Sequence, residues 1–297
     1  MLAQPLGHLH PLEIDVGLTP VEPAGRLAVG PESVTIVIDV IRATTTLAVM
    51  FDRGCRRVLV AGDIPAARAF VSDHPGAYLL SGEVGGVRPP GFDLGNSPVE
   101  MAAAELAGRE IVFSTTNGTR ALRACAGARA ILAGSLRNAE AVCRLALSRA
   151  APASVAKDTT ALRAPAVPAS VEAASEAALE QEGGTTGIAL VCSGREGRPA
   201  VDDTLCAGVL VEQLERLAPD YGYTLQLRDG ALLARAVAAG VFSFYDLLWH
   251  SAAGQAVVKV GLEADLALCA AQSASESVPV VVDSMPAGLL VMERAVI

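Results

Sequence analysis

The sequence predicts a layered α/β/α fold around a largely parallel or mixed sheet. Three observations carry this. Apolar β-branched runs alternate with stretches of helical length and pattern along most of the 297 residues. The chain is 52% apolar but only 4% aromatic, and Ala, Val and Leu suit helices laid on strands buried on both faces. Three of the apolar runs then end alike, in a loop rich in Thr, Arg, Asn or Gly followed by a helix start.

Taken in order, residues 12–16 read as a short strand and 35–39 as a buried one. Residues 44–54 read as a helix stopped by Gly54. Strand 57–61 precedes helix 64–72, for which Asp63 is the natural N-cap. Strand 77–80 runs into Gly82-Glu83-Val84-Gly85-Gly86. Ser97-Pro98-Val99-Glu100 has the spacing of a capping box with Pro at the first helical position, and this helix is expected to end near Gly108. Strand 110–114, helix 119–126, strand 130–133 and helix 138–148 follow. Residues 149–186 are rich in Ala, Pro, Ser and Thr without aromatics, and read as a low-complexity insert. They divide a first α/β half, 11–148, from a second, 187–297, packed into the same globular unit. The second half holds strand 188–192, a helix opened by Asp202-Asp203-Thr204 and running to about 216, helices 232–239 and 244–251, strand 255–260, helix 263–270 and strand 279–282.

A net charge of −9 argues against nucleic-acid binding as the main task, though a few local arginines still suffice for an anionic ligand. No run of 18 apolar residues and no basic-then-apolar leader occurs, so neither a membrane span nor a signal peptide is expected. Cysteines at 55, 125, 143, 192, 206 and 269 show no C-x-x-C spacing, which fits a reduced cytoplasmic chain. Four scattered His argue against a His-based zinc site. Composition admits a homo-oligomer.

The three strand–loop–helix junctions carry the chemistry. A strand that stops at a helix start presents free N–H groups, and three such tips together would form a pocket for a multiply charged anion. In the first, Asp39 at a strand end can ligate Mg²⁺ or act as base or nucleophile. Arg42 can fork onto phosphate or sulfonate oxygens, and Thr44, Thr45 and Thr46 add hydroxyls. The plainer reading is an Asp turn with a Thr cap. In the second, Thr115-Thr116-Asn117-Gly118-Thr119 resembles an Asn-Gly hairpin, but a strand before it and an Ala-rich helix after it favour an anion-binding loop. In the third, Cys192 to Arg198 spells C-x5-R. Gly194, Arg195 and Gly197 form surroundings expected to lower a thiol pKa, although a buried packing Cys fits the spacing too.

Glu83 and Asp93 lie in glycine-rich loops where a metal is conceivable, and Asn96 or Ser97 caps a helix. Asp202 and Asp203 open a helix as caps, or add charge for Mg²⁺. The single Trp, Trp249, and Cys143, Cys206 and Cys269 read as packing.

In this order, IDVIRATTT (38–46), GFDLGNSPVE (91–100), TTNGTRAL (115–122), GSLRNAEAV (134–142), CSGREGRPAVDDTLCAG (192–208) and GQAVVKVGLEADL (254–266) make a chain that resembles the 2-phosphosulfolactate phosphatase family. The resemblance implies a layered α/β fold and an Mg²⁺-dependent phosphatase releasing sulfolactate and phosphate, a step towards coenzyme M. The chain departs from the family at Val84, where Arg is common, and in the 149–186 insert. On this reading Asp39, Glu83 and Asp203 are the expected metal ligands. Asp39, Arg42, Cys192 and Arg195 are the expected catalytic residues, with the nucleophile open between Cys192, Asp39 and a metal-bound water. Thr44, Thr45, Asn96, Thr116, Asn117, Gly118, Thr119, Ser135 and Gly194 are expected to bind substrate. The alternative is a non-catalytic binder of organophosphates or sulfonates, for which carboxylates beside the ligand would only repel.

Overall fold

The structure is a computed structural model that describes residues 9–20, 30–150, 187–285 and 288–295. Most of the 149–186 insert lies outside them. Ten strands form one sheet: β1 (His10–Gly17), β2 (Val34–Ile38), β3 (Arg57–Val60), β4 (Leu79–Gly82), β5 (Glu110–Ser114), β6 (Ala130–Gly134), β7 (Gly187–Cys192), β8 (Tyr223–Leu227), β9 (Pro279–Ser284) and β10 (Leu290–Arg294), in the spatial order 4-5-3-10-9-6-2-7-1-8. Strands 4, 5 and 3 are parallel to one another, as are 6, 2, 7, 1 and 8. Between them, β9 and β10 pair antiparallel on both sides, so the two parallel groups run in opposite senses.

Among the described residues ten α-helices cover the sheet: α1 (Ala43–Asp52), α2 (Ile64–Ser72), α3 (Pro98–Ala103), α4 (Gly118–Ala124), α5 (Ala139–Ala150), α6 (Val201–Leu217), α7 (Asp229–Ala239), α8 (Phe244–His250), α9 (Ala252–Lys259) and α10 (Asp265–Ala270). Alternation sorts the strand residues to two faces. Val34, Ile36 and Ile38 of β2 join Ile188, Leu190 and Cys192 of β7 beneath α5, α6 and α7. Val37, Ile131, Ala133 and Val191 face the other way, and share one core with α1, α4 and with Val58, Val60, Ile111 and Phe113 of the opposing strand group. The sheet therefore coils around α1 and α4. That curl brings the C-terminal ends of β2 and β5 together although the strands run in opposite senses.

Local signals explain most of the elements. Asp63 caps α2, its carboxylate accepting from the Ala66 N–H at 2.8 Å. Ser97 caps α3, accepting from the Glu100 N–H at 3.1 Å. Glu100 does not close the expected box; its Oε2 accepts from the Gly95 N–H at 2.7 Å instead, and α3 ends at Ala103 rather than near Gly108. The expected strand at 255–260 is helix α9. Ser251 caps it through the Gly254 N–H at 2.9 Å, and only Ala253, Gly254 and Val257 along it are buried, a helical spacing. Strands β8 and β10 were not expected from sequence. Among the described residues no single helix is long and apolar enough to cross a membrane.

Candidate active site

The β2–α1 junction forms the floor of the site. Asp39 follows β2, and its carbonyl accepts from both the N–H and the hydroxyl of Thr44, each at 2.9 Å. Thr45 Oγ1 donates to the Val40 carbonyl at 2.9 Å, and Thr46 Oγ1 to the Asn96 carbonyl at 3.3 Å. All three threonines are fully buried. Their hydroxyls shape the loop, instead of standing free as the donors the sequence suggested.

Arg42 is also committed. Its Nη1 donates to Asp265 at 2.8 Å and its Nη2 to the Gly86 carbonyl at 2.5 Å, and the residue is 4% exposed. It locks α1 to α10 and to the glycine loop. Gly86 donates in turn to Glu83 Oε2 at 2.7 Å, while Glu83 Oε1 accepts from the N–H and hydroxyl of Thr116, each at 2.9 Å. Glu83 thus ties the glycine loop to the β5–α4 loop. Thr119 Oγ1 accepts from the Thr115 N–H at 3.1 Å and sets the turn that opens α4.

That turn lies directly against Asp39. A Cβ added to Gly118 would stand 2.9 Å from Asp39 Oδ2 and 2.7 Å from Ala43 Cβ. Glycine is required here for close approach. Asn117 precedes α4 without capping it through its side chain. The first N–H groups of such a helix have no acceptor within it.

The third junction closes the ring through α6. Asp203 is pinned: Oδ1 accepts from the Val40 N–H at 3.0 Å, and Oδ2 from the Ser193 hydroxyl at 2.9 Å and the Gly194 N–H at 3.0 Å. It fastens the β2 and β7 loops to the start of α6, so its oxygens are already occupied. Asp202, one position earlier, was weighed with Asp203 as added charge for Mg²⁺ but was not among the expected ligands. It is 3% exposed, and its charge acts on Asp39, while Arg195 acts on it. The adjacent pair Asp202-Asp203 was the available signal, but only the fold shows that Asp203 is the one taken up by backbone and hydroxyl donors. Gly194 has a φ of 62°, and a Cβ there would lie 2.5 Å from the Arg198 carbonyl oxygen, so the tight 195–198 turn needs glycine at that point. Arg195 itself is partly exposed at the rim.

Electrostatics mark Asp39 as the centre. Burial raises its carboxyl to about 7, and the charges of Asp202 and Glu83 add to this. Burial likewise raises Asp202 to about 6, with Arg195 partly offsetting it. Asp203 is also pushed well up, first by burial and then by Asp202 and Asp39. Asp39, Asp202 and Asp203 are thus all buried with raised carboxyls, and perturbed groups of this kind gather at functional sites.

Two expectations change. Cys192 does not have a lowered thiol pKa: it is fully buried among apolar residues, and burial, then Asp203, push the thiol well up. Ser135 is fully buried, and both its N–H and its hydroxyl donate to Asn138 Oδ1, at 2.8 and 3.1 Å, capping the short 3-10 turn Leu136–Asn138. Asn96 has a buried Oδ1 with no hydrogen-bond partner. Asp93 accepts from the Leu80 N–H at 2.7 Å and shapes its own loop.

Comparison with known proteins agrees with these motifs. The family model described as 2-phosphosulpholactate phosphatase matches residues 24–157 and 167–284. The chain is 38% identical over 248 residues to a protein of Thermus thermophilus named "Probable 2-phosphosulfolactate phosphatase", covering 83% of this chain and 87% of that one. A protein of Deinococcus radiodurans with the same name is 36% identical over 260 residues, covering 86% and 92%. One from Symbiobacterium thermophilum is 34% identical over 262 residues, covering 86% and 91%. With the match running through most of the described fold, the chain belongs to the 2-phosphosulpholactate phosphatase family of phosphoric monoester hydrolases.

Proposed function

We propose that this chain hydrolyses 2-phosphosulfolactate, or a closely related 2-hydroxy-acid phosphate, to the hydroxy acid and phosphate, using Mg²⁺, as in coenzyme M biosynthesis. The observation that carries the reading is the meeting of three strand–helix junctions at Asp39. Its Oδ2 lies 2.9 Å from a Cβ position at Gly118, and Asp202 and Glu83 bear on the same carboxyl.

The donors present suit Mg²⁺. They are hard carboxylate oxygens, and their crowding in a buried site favours a cation among them. Among the described residues no three His, Cys, Asp or Glu side chains form a ready metal-binding group. Mg²⁺ does not require one, since it commonly takes one or two carboxylates and fills its shell with water and phosphate oxygens. Asp39 and Asp202 are the two to hold it. Asp203 and Glu83, both expected as ligands from sequence, are already hydrogen-bonded and act here as supports for the loops. When bound, the ion would neutralise charge on the phosphoryl oxygens.

The remaining work falls to the chain. The turn at Asn117 and Gly118 would receive phosphoryl oxygens, with Thr116, whose N–H and hydroxyl are held by Glu83, bracing it, and Arg195 at the rim would attract the anion. In the overall reaction water adds its oxygen to phosphorus, the ester P–O bond breaks and the leaving oxygen takes a proton. The high thiol pKa of Cys192 disfavours a thiolate route.

Phosphate release from 2-phosphosulfolactate and other 2-phospho-hydroxy acids, measured while Mg²⁺ is titrated, tests the proposal. Saturable, Mg²⁺-dependent release is expected. Release from none of them would leave a binding protein for organophosphates or sulfonates.

A further inference from the structure

The sheet has two edges, β4 and β8, and the fold treats them differently. Residues 93–95 cover β4. The Gly82 N–H donates to the Leu94 carbonyl at 3.3 Å, and the Asp93 and Leu94 N–H groups donate to the Leu80 carbonyl at 2.9 and 3.1 Å. The Ser81 hydroxyl donates to the Gly95 carbonyl at 2.7 Å. Beyond β8, among the described residues, no strand follows. On its inner side the Gly222 carbonyl accepts from the His10 N–H at 2.8 Å, and the Arg228 N–H donates to the Ile14 carbonyl at 2.9 Å. Residues 222, 224, 226 and 228 therefore turn their backbone groups to β1. By alternation Tyr223, Leu225 and Leu227 turn theirs outward. Exposed edges are normally guarded by Lys, Pro, a bulge or an inward-pointing charge. The stretch Tyr223-Thr224-Leu225-Gln226-Leu227 has no Lys, Pro or charge, and its register with β1 has no bulge.

We propose that the β8 edge docks a second copy of this chain, by antiparallel pairing of β8 with itself about a twofold axis at Leu225. The strand is complementary to its own copy. With Leu225 opposite Leu225 of the partner subunit, Tyr223 falls opposite Leu227 of the partner subunit. Every outward residue then meets an outward residue, and each pair exchanges two hydrogen bonds. A slip of one residue sets outward groups against inward ones, and a slip of two leaves one outward residue without a strand partner. On one face the two Leu225 side chains meet, next to side chains already packed on the core. On the other, exposed Thr224 lies opposite Gln226 of the partner subunit, an uncharged pair. A strand pair alone is small for a stable dimer, and flanking groups extend it. In α7, Arg235 binds Glu215 of α6 at 2.7 Å, and Ala234 and Ala238 lie against Gly208 of α6. Leu233, about 100–160° round the helix from these three, is 52% exposed. The twofold sets both α7 helices on one face of the joined sheet, where Leu233 widens the contact, as does exposed Tyr221 at the head of β8. Strands β1 and β7 separate β8 from β2, so each copy keeps its own site around Asp39.

Sedimentation velocity across micromolar concentrations, with amide hydrogen exchange, tests this on the full chain. The wild type is expected to form a species of about twice the 30.4 kDa chain mass, with slow exchange at Tyr223, Leu225 and Leu227. T224K/Q226K sets like charges against each other at both cross-strand positions. It should raise the dimer dissociation constant tenfold or more and speed exchange at those amides. T224E/Q226K sets opposite charges at the same positions and should dimerise within a few-fold of the wild type. Both variants change only exposed side chains, and their circular dichroism should match that of the wild type. L225P removes an outward N–H without touching a bond to β1, and should also be monomeric. A wild type that stays monomeric would overturn the proposal, and slow exchange at the three amides in that monomer would assign the edge to a segment of its own chain. A dimer unmoved by T224K/Q226K would overturn it by placing the contact on another face. A dimer weakened equally by T224K/Q226K and T224E/Q226K would overturn the register.

Discussion

Arg42 and Asp265 form an ion pair of 2.8 Å with side chains only 3% and 1% exposed, joining the start of α1 to the start of α10. The same aspartate accepts from the Ser97 hydroxyl at 2.5 Å and from the Val99 N–H at 3.3 Å. Three segments distant in sequence therefore share one carboxylate. The glycine loop joins them through the Gly86 carbonyl on Arg42. The floor of the active site is held by this node rather than by a continuous element.

Asp265→Ala should accordingly cost about 3–5 kcal/mol, because it strands a buried guanidinium. The half-exposed pair Arg57–Glu293, cut in the same way, should shift stability by less than about 1 kcal/mol. Urea denaturation of both variants checks the contrast. Equal effects would mean that Arg42 finds another partner when Asp265 is lost.

Cys192→Ser should keep phosphatase activity within a few-fold of the wild type. The thiol is fully buried and its pKa lies far above neutrality, so little thiolate exists to attack phosphorus. Steady-state kinetics decide the point, and a fall to background in a variant that still folds would restore the thiol as nucleophile.

The sequence made the junctions legible because each rests on local signals. Strand β5 falls at the residues expected, Asp63 caps α2 and Ser97 caps α3 as read. What failed depended on contacts between distant segments. Residues 255–260 carry a β-branched pair that suggests a strand, but Ser251 and the packing of Val257 make them helical. The reversal of the two strand groups comes from β9 and β10 at the chain's end inserting between β6 and β3, which no local pattern encodes. The site divides similarly. Asp39 stood out at a strand end, whereas the choice of Asp202 over Asp203 depends on which carboxylate the Ser193–Gly194 loop captures. Arg42 invites a phosphate on chemistry alone; only Asp265, 223 residues away, shows that it is engaged.

Gly118→Ala tests the closeness of the first two junctions. The added methyl would press on Asp39 Oδ2 and Ala43 Cβ, both closer than ordinary contact. Overpacking of this kind costs about 1–3 kcal/mol. The larger effect should be catalytic, since a displacement of about 1 Å at reacting groups can reduce rate about 10²-fold. A melting curve measured with the kinetics separates the two. Activity near that of the wild type would show that the turn and Asp39 do not act together.

The raised carboxyls make stability depend on pH in a predictable sense. Asp39 near 7 and Asp202 near 6 both lie above the value of about 3.9 for an unfolded aspartate. The folded protein therefore holds more protons than the unfolded chain between about pH 4 and 7, and its stability falls as pH rises through that window. The loss should amount to a few kcal/mol at full deprotonation. A divalent cation binds the deprotonated carboxylates of the folded state, so Mg²⁺ should raise the melting temperature little at pH 5 and clearly at pH 8. Asp39→Asn removes one of these raised carboxyls. The variant should show a shallower decline in stability with pH in the presence of a chelator, and a smaller stabilisation by Mg²⁺ at pH 8. Melting temperatures across pH, with chelator or with Mg²⁺, measure both effects without relying on turnover. A wild type whose stability rises from pH 5 to 8 in chelator would show that these carboxyls are not held protonated by their burial.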